Sequence, residues 1–444
     1  MGHNLFEFAW QRSKEDRFQS AVPRDPNFFQ LGSGGDAVWA FEGAMKMCFF
    51  SGHDFYVLGR FDADTARFVP LDPERSMGSD PLDVGGYMFA SQTFAGANGT
   101  VINSAWVLEG DCDWTQPHFP PQCPAMLKRG WLGVHSLPRV VSLEITPPVA
   151  PGRLPRHALV FAPLPALATL RTGVSAAIHE ATTRRGAGGG LPLSPPFRSS
   201  HFQLDVSWSV SGAAAWDVGV QVLWSDQGEW TRVGMRSAAW MNNTRLVFVN
   251  DLQRNKSACR PPQIVHDPSD CQSLCATHGR HCIGWTFSGS STAGSSCRLV
   301  CDLVPLLAVA GNTSCGWSSR SPVGSVSGMM PAPTGRARWA MLYMDRRNAS
   351  ATTHPSLLHP LGGLVRLLET EASARLSVFV DKSIVEAFAM GGRRVLTGRV
   401  YPSHPNASGV GVYAVGATAN ATAWEMGPAF AKQSAAESDA AEHT

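Results

Sequence analysis

Residues 202–210 read FQLDVSWSV, which puts Phe202, Leu204, Val206, Trp208 and Val210 on one side of an extended chain and polar groups on the other. That strict period of two fits a strand with one face in a core, and it cannot sit on a helix of period 3.6. The pattern recurs in DVGVQVLW (217–224), RLVFV (245–249), ARWAMLYM (337–344) and RLSVFV (375–380), separated by clusters of Gly, Pro, Asn and Ser. Long amphipathic helices are absent, the best short candidate being PLPALATLR at 163–171. Short strands at this spacing predict an all-β fold of sandwich or propeller type.

A chain of 444 residues exceeds what one core serves, so two or three domains are expected. RRGAGGGLPLSPP (184–196) and SPVGSVSGMMPAPTG (321–335) read as linkers, and the Ala/Glu/Ser tail at 432–444 as disordered. Charged residues make up 16% and the formal charge is +2, which provides no field for nucleic acid or anionic lipid. No run of 18 apolar residues exists, so no membrane span is expected.

The N-terminus lacks the apolar core of a signal peptide. Other features point to an oxidising compartment. Seven of twelve asparagines (Asn98, Asn242, Asn255, Asn312, Asn348, Asn406, Asn420) open glycosylation acceptors, where ordinary Ser/Thr frequencies give about two. Seven of ten cysteines lie between Cys259 and Cys315. A secreted, secretory-pathway or vacuolar protein is expected, with an N-terminus extending beyond this chain.

In RLSVFVDKSIVEAFAMGGRRVLTGRVYPS (375–403), two strands meet at Asp381–Ser383, and Gly391-Gly392 supplies the positive φ for a turn into a third. Glu386 shares a face with Ile384 and Phe388. It is expected to be half buried and to form a structural ion pair with Arg399 across the sheet. The segments VDKSIVEAF (380–388) and GGRRVLTGRVYP (391–402) resemble the C-terminal sandwich signature of glycoside hydrolase family 32, the invertases, fructan hydrolases and fructosyltransferases. LYMDRRNAS (342–350), HDFYVLGRFD (53–62), GGYMFASQTF (85–94), GWLGVHSLPR (130–139) and LVFAPLPALATLR (159–171) are similar to further family segments, in the same order.

The resemblance implies a propeller followed by a sandwich. Only about two of five blades fit before residue 172, leaving strand edges open. The implied domains are a partial propeller at 1–171, a sandwich at 172–256 and 318–431, and an insert at 257–317. In the insert, DCQSLC (270–275) and HCIGWTF (281–287) resemble a PAN/apple module, which binds proteins or carbohydrates. That likeness implies disulfides joining Cys259 with Cys315, Cys271 with Cys297 or Cys301, and Cys275 with Cys282. Zinc held by Cys271, Cys275, His278, His281 and Cys282 is the rival reading. Cys112 and Cys123 bracket a loop they could staple, and Cys48 reads as a buried thiol.

Retaining glycosidases use two carboxyl groups about 5–5.5 Å apart, and no cofactor or metal is expected here. The family supplies a nucleophilic aspartate, a stabilising aspartate and an acid/base glutamate in three short boxes. VPRDPNFF (22–29) matches the glutamate box by spacing, so Arg24 stands at the acid/base position and Asp25 beside it, aimed at the opposite face of a regular strand. A permanently cationic arginine cannot donate the proton. Asp25 is the one catalytic candidate, returned to the cleft only by a bulge. His53, Asp54, Phe89 and Trp106 are candidate sugar-site residues by position. The expected function is β-fructofuranosidase-like by ancestry, acting on sucrose or fructans, with no hydrolysis by this chain. The alternative is a non-catalytic extracellular binding protein that uses the insert.

Overall fold

The computed structural model describes residues 24–109, 133–146, 156–237, 338–349 and 361–429, with short breaks at 34–36, 49–50, 63, 66, 72–79, 185–188 and 211–214, and four strands between 263 and 329. The described residues are organised almost entirely as antiparallel sheet. The first sheet runs β1 (Arg24–Leu31), β2 (Val38–Cys48), β3 (Ser51–Asp62) and β4 (Arg67–Pro70) in simple meander order, with the short β5 (Asp80–Pro81) beside β3. The second is formed by β6 (Met88–Ala95), β7 (Val101–Val107), the short β8 (Val134–His135), β9 (Arg139–Thr146) and β10 (Arg156–Pro163), in the order β10-β9-β7-β6. Each is four strands on one path with a two-residue fifth beside them, the size of a propeller blade.

PLPALATLR becomes a 3-10 helix, Pro165–Leu170, that leads into the sandwich. The strands there are β11 (Arg171–Ala181), β12 (Leu191–Pro192), β13 (His201–Ser209), β14 (Asp217–Trp224) and β15 (Trp230–Ser237). A small four-stranded sheet of β16 (Gln263–Val265), β17 (Gly284–Ser288), β18 (Ser295–Val300) and β19 (Val326–Met329) follows. The sandwich resumes with β20 (Arg338–Asn348), β21 (Leu361–Leu367), β22 (Ser373–Asp381), β23 (Ile384–Ala389), β24 (Arg394–Arg399), β25 (Gly409–Val415) and β26 (Ala419–Met426). Its two six-stranded sheets have the orders β11-β26-β13-β22-β23-β24 and β12-β25-β14-β15-β20-β21.

The alternation read from the sequence survives in β13, where Phe202, Leu204, Val206 and Trp208 are buried, as is Val210 just beyond it; on the other face only Gln203 is also buried. The apolar side chains pack with Val218, Val220 and Val222 of β14 and Val378 and Val380 of β22 in one core between the sheets. The meander also forms as read, with Gly391 and Gly392 at φ +72° and +99°. Both linker readings are corrected: β12 lies inside 184–196 and pairs with β25, with Ser194 bridged to Ala177, and β19 lies inside 321–335 and pairs with β17, so part of each stretch joins a sheet. A linker needs no hydrogen-bonding partners, and Val326–Met329 has them. Residues 245–249 and the 432–444 tail lie outside the described residues.

Candidate functional site

Between the two blade-like sheets lies a buried polar knot. Asn27 on β1 faces Glu42 on β2, and β1 packs near β6 of the next sheet. Asn27 Nδ2 donates to Glu42 Oε2 (3.1 Å) and to Thr93 Oγ1 on β6 (2.7 Å). Asn103 Nδ2 on β7 donates to the same Glu42 oxygen at 3.3 Å, and Ser91 Oγ approaches it at 3.5 Å. Glu42 is completely buried, and burial pushes its carboxyl up to about 8, with a further push from Asp54. It is therefore largely an uncharged acid at neutral pH. Glu42 Oε1 and Asn103 Oδ1 are both buried without a hydrogen-bond partner among the described residues. A proton on Oε1 directed at Asn103 Oδ1 would satisfy both atoms and close an acid–amide ring with the existing Asn103 Nδ2 bond.

Asp54, two residues along β3 from the partner of Glu42, is also buried. Its carboxylate accepts from the backbone N–H groups of Ala90 (3.2 Å) and Ser91. Those residues form the irregular step in β6 between Phe89 and Gln92, with Ala90 at φ +55°. An aspartate from one sheet thus holds a bulge in the next.

A second group of charges joins the blades to the sandwich, and it corrects the partner expected for Glu386. Glu386 is 1% exposed and pairs with Arg139 of β9 (Nη2–Oε2 2.5 Å), while also accepting from the Leu137 backbone N–H at 2.6 Å. Arg139 Nη2 also reaches Asp83 Oδ2 (3.2 Å) and Thr397 Oγ1 (2.7 Å), and the Thr397 N–H donates to Asp83 Oδ1. Arg399 instead pairs with Glu109 (3.1 Å), which also accepts from Tyr401 (2.5 Å) and the Gly133 N–H. The ion-pair reading of Glu386 stands, but the residue is fully rather than half buried, and Arg399 sits two positions from its direct neighbour Thr397 and turns to Glu109. The acid-and-threonine pattern of 380–402 is therefore a docking face.

Of the candidate residues, Phe89 and Trp106 come together, edge to face at 6.0 Å, both half-buried against Tyr87, Val107, Leu108 and Ile384. Arg24 and Asp25 lie in β1, where the register shifts between Arg24 and Asn27. The regular strand assumed for Asp25 is therefore interrupted at that point, although its side chain, like that of Arg24, lies outside the described residues. So do the side chains of His53, Cys48 and every cysteine assigned to a disulfide: Cys112, Cys123, Cys259, Cys271, Cys275, Cys282, Cys297, Cys301 and Cys315. The zinc alternative lies there too. Among the described residues no group of three His, Cys, Asp or Glu is placed to hold a metal ion. Glu42, Asn103 and Arg139 were missed by sequence reading. Glu42's only signal is a lone acid in the apolar strand VWAFEGAM (38–45).

The family models for glycosyl hydrolases family 32 match this chain twice, the N-terminal domain over residues 9–148 and the C-terminal domain over 316–425. The chain belongs to glycoside hydrolase family 32. Among curated family 32 relatives, it is 23% identical over 385 residues to the acid beta-fructofuranosidase of Vicia faba, covering 85% of this chain and 46% of that protein. It is 24% identical over 375 residues to the sucrose:sucrose 1-fructosyltransferase of Festuca arundinacea, covering 83% and 43%. The chain thus spans less than half the length of these relatives.

Solved structures agree on the fold. Fructan 1-exohydrolase IIa from Cichorium intybus superposes with TM-score 0.53 at 17% identity, over 93% of this chain and 63% of that one. A substituted form of that enzyme in complex with 1-kestose gives TM-score 0.54 at 18% identity, over 91% and 61%. The exo-inulinase of Aspergillus awamori gives 0.51 at 15%, over 93% and 58%. Most of the insert at 257–317 falls between the two matched family spans.

Proposed function

We propose that the chain carries two blades and the sandwich of a β-fructofuranosidase-type glycosidase, with ancestry in sucrose or fructan chemistry, and that by itself it does not cleave glycosides. The observation that supports this is what the buried carboxyl groups between the two blade-like sheets are doing. Glu42 is bound by two amides and a hydroxyl from three strands, and Asp54 by two backbone N–H groups. Both tie sheet to sheet. A retaining glycosidase needs one carboxylate free to attack and one acid free to protonate the leaving oxygen. Arg24 at the family's acid/base position can do neither. The clustered cysteines and acceptor asparagines support a secreted or vacuolar setting, with disulfides in the insert.

The test is incubation of purified chain with sucrose, 1-kestose and inulin, scoring released fructose. The expected result is none above a heat-denatured control. Turnover that Asp25→Asn abolishes would mean that the bulge in β1 delivers Asp25 to a working site. A second reading, a binding protein whose apple-like insert contacts a protein or glycan, is supported by the small four-stranded sheet, three of whose strands come from the insert. It predicts ligand capture that survives Asp25→Asn.

A further inference from the structure

A cavity of about 30 Å³ opens at the seam between the second blade-like sheet and the sandwich. One wall is Glu144 and Thr146 of β9 with Leu159 and Phe161 of β10; the other is Trp339, Arg366 and the segment Gly392–Val395. By the measure in which one water takes roughly 10–15 Å³, it holds two or three waters. That suits a small polyatomic ion and excludes a sugar ring.

Its charges are unevenly matched. Arg393 is sandwiched between two carboxylates, with Nε on both Glu144 oxygens at 2.9 Å and Nη1 and Nη2 on Glu371 at 3.0 Å. Both acids thus hydrogen-bond the Arg393 guanidinium. Arg366, on the same cavity, has no carboxylate hydrogen bond among the described residues. Its Nη1 donates to the Thr146 hydroxyl at 2.6 Å, and its Nε is buried without a hydrogen-bond partner among the described residues. Burial draws the guanidinium below its ordinary range; Glu144 and, more weakly, the exposed Glu369 act on it through space in the other direction, against the opposing push of Arg393. A half-buried, always-charged guanidinium on a cavity wall is stabilised by an acceptor-only ligand.

We propose that this cavity binds a small oxyanion of the phosphate, sulfate or carboxylate type, held by Arg366. Thr146 orients the guanidinium, and Arg393 and its two acids form a rigid floor. The site draws walls from both domains, so occupancy strengthens their docking. It is independent of whether the chain hydrolyses sugars.

The experiment is thermal unfolding of the full chain at pH 7 and constant ionic strength, with chloride replaced stepwise by phosphate, sulfate or acetate. A saturable rise in Tm with at least one of them is expected, and the responding arm identifies the source. The rise should vanish in Arg366→Gln and persist in Arg198→Gln, which removes an exposed arginine paired with Asp226. Arg366→Lys keeps the charge but loses the planar fork, and should bind about tenfold more weakly. No saturable rise in any arm, or an equal rise in Arg366→Gln, overturns the proposal. If Arg366→Gln does not fold, calorimetric titration of all three anions into wild type and Arg366→Lys decides: no saturable heat in wild type, or equal affinity in both, overturns it.

Discussion

At neutral pH most Glu42 side chains hold their proton, because the folded group titrates near 8 and the free group near 4.5. Between those values the folded state binds more protons than the unfolded one, so stability falls as pH rises through the window and levels off above 8. Each unit is worth about 1.4 kcal/mol at most, giving a few kcal/mol overall. Glu42→Gln keeps an acceptor for the Asn103 amide and adds a donor, but cannot ionise. Urea midpoints measured from pH 5 to 9 should therefore fall less steeply in this variant than in wild type, with the two diverging most above pH 8. Parallel slopes would show that Glu42 is not the titrating group. At the seam with the sandwich, Arg139→Met strands Glu386 without its cation and should cost about 3–5 kcal/mol, whereas Arg139→Met with Glu386→Met should recover part of it. A double-mutant cycle in denaturant reads that coupling.

Across β25, β14, β15 and β20, one row of residues reads Tyr413, Gly219, Gly234, Tyr343. The tyrosines lean inward over the glycines until their hydroxyls meet at 2.6 Å, and Tyr343 donates to Asp217 at 2.7 Å. The Arg236 guanidinium lies on the Tyr343 ring at 3.7 Å, and burial pushes both phenols up. A Cβ on Gly234 would collide with the Tyr413 hydroxyl and the Val218 carbonyl. Gly234→Ala should therefore cost about 1–3 kcal/mol, and Tyr413→Phe in that background should return some of it, as judged by thermal melts.

How much was legible follows the same divide between elements and contacts. β13 and the 375–403 meander could be read because alternation and turn glycines are local. The partner of Glu386 could not, because Arg139 lies 247 residues away and its own segment, GWLGVHSLPR, carries no charge pattern pointing to a sheet. Glu42 was illegible for a related reason: an acid on an apolar strand reads as an exposed edge until amides from a second sheet are seen around it. For Asp25, the argument from alternation assumed regular pairing at the one step of β1 where the register slips.

At the scale of the molecule, four acceptor asparagines fall on described residues, and all four are exposed. Asn98 sits at φ +59° on the tight turn between β6 and β7, and Asn406 on the loop before β25. Asn420 lies in β26, paired on both sides, and its Oδ1 accepts from the Glu180 N–H at 3.1 Å. Expression in a glycosylating host should therefore fill Asn98 and Asn406 before Asn420, as read by site-resolved mass spectrometry after deglycosylation. Full occupancy at Asn420 with none at Asn98 would contradict this.

Because Asp83 and Arg139 come from the blades while Glu386 and Thr397 come from the sandwich, neither half carries a finished set of charges. A sandwich grafted from another source would bring a glutamate that meets bare hydrocarbon unless the recipient offers a matching guanidinium. Chimeras of this chain should exchange the four residues as a unit.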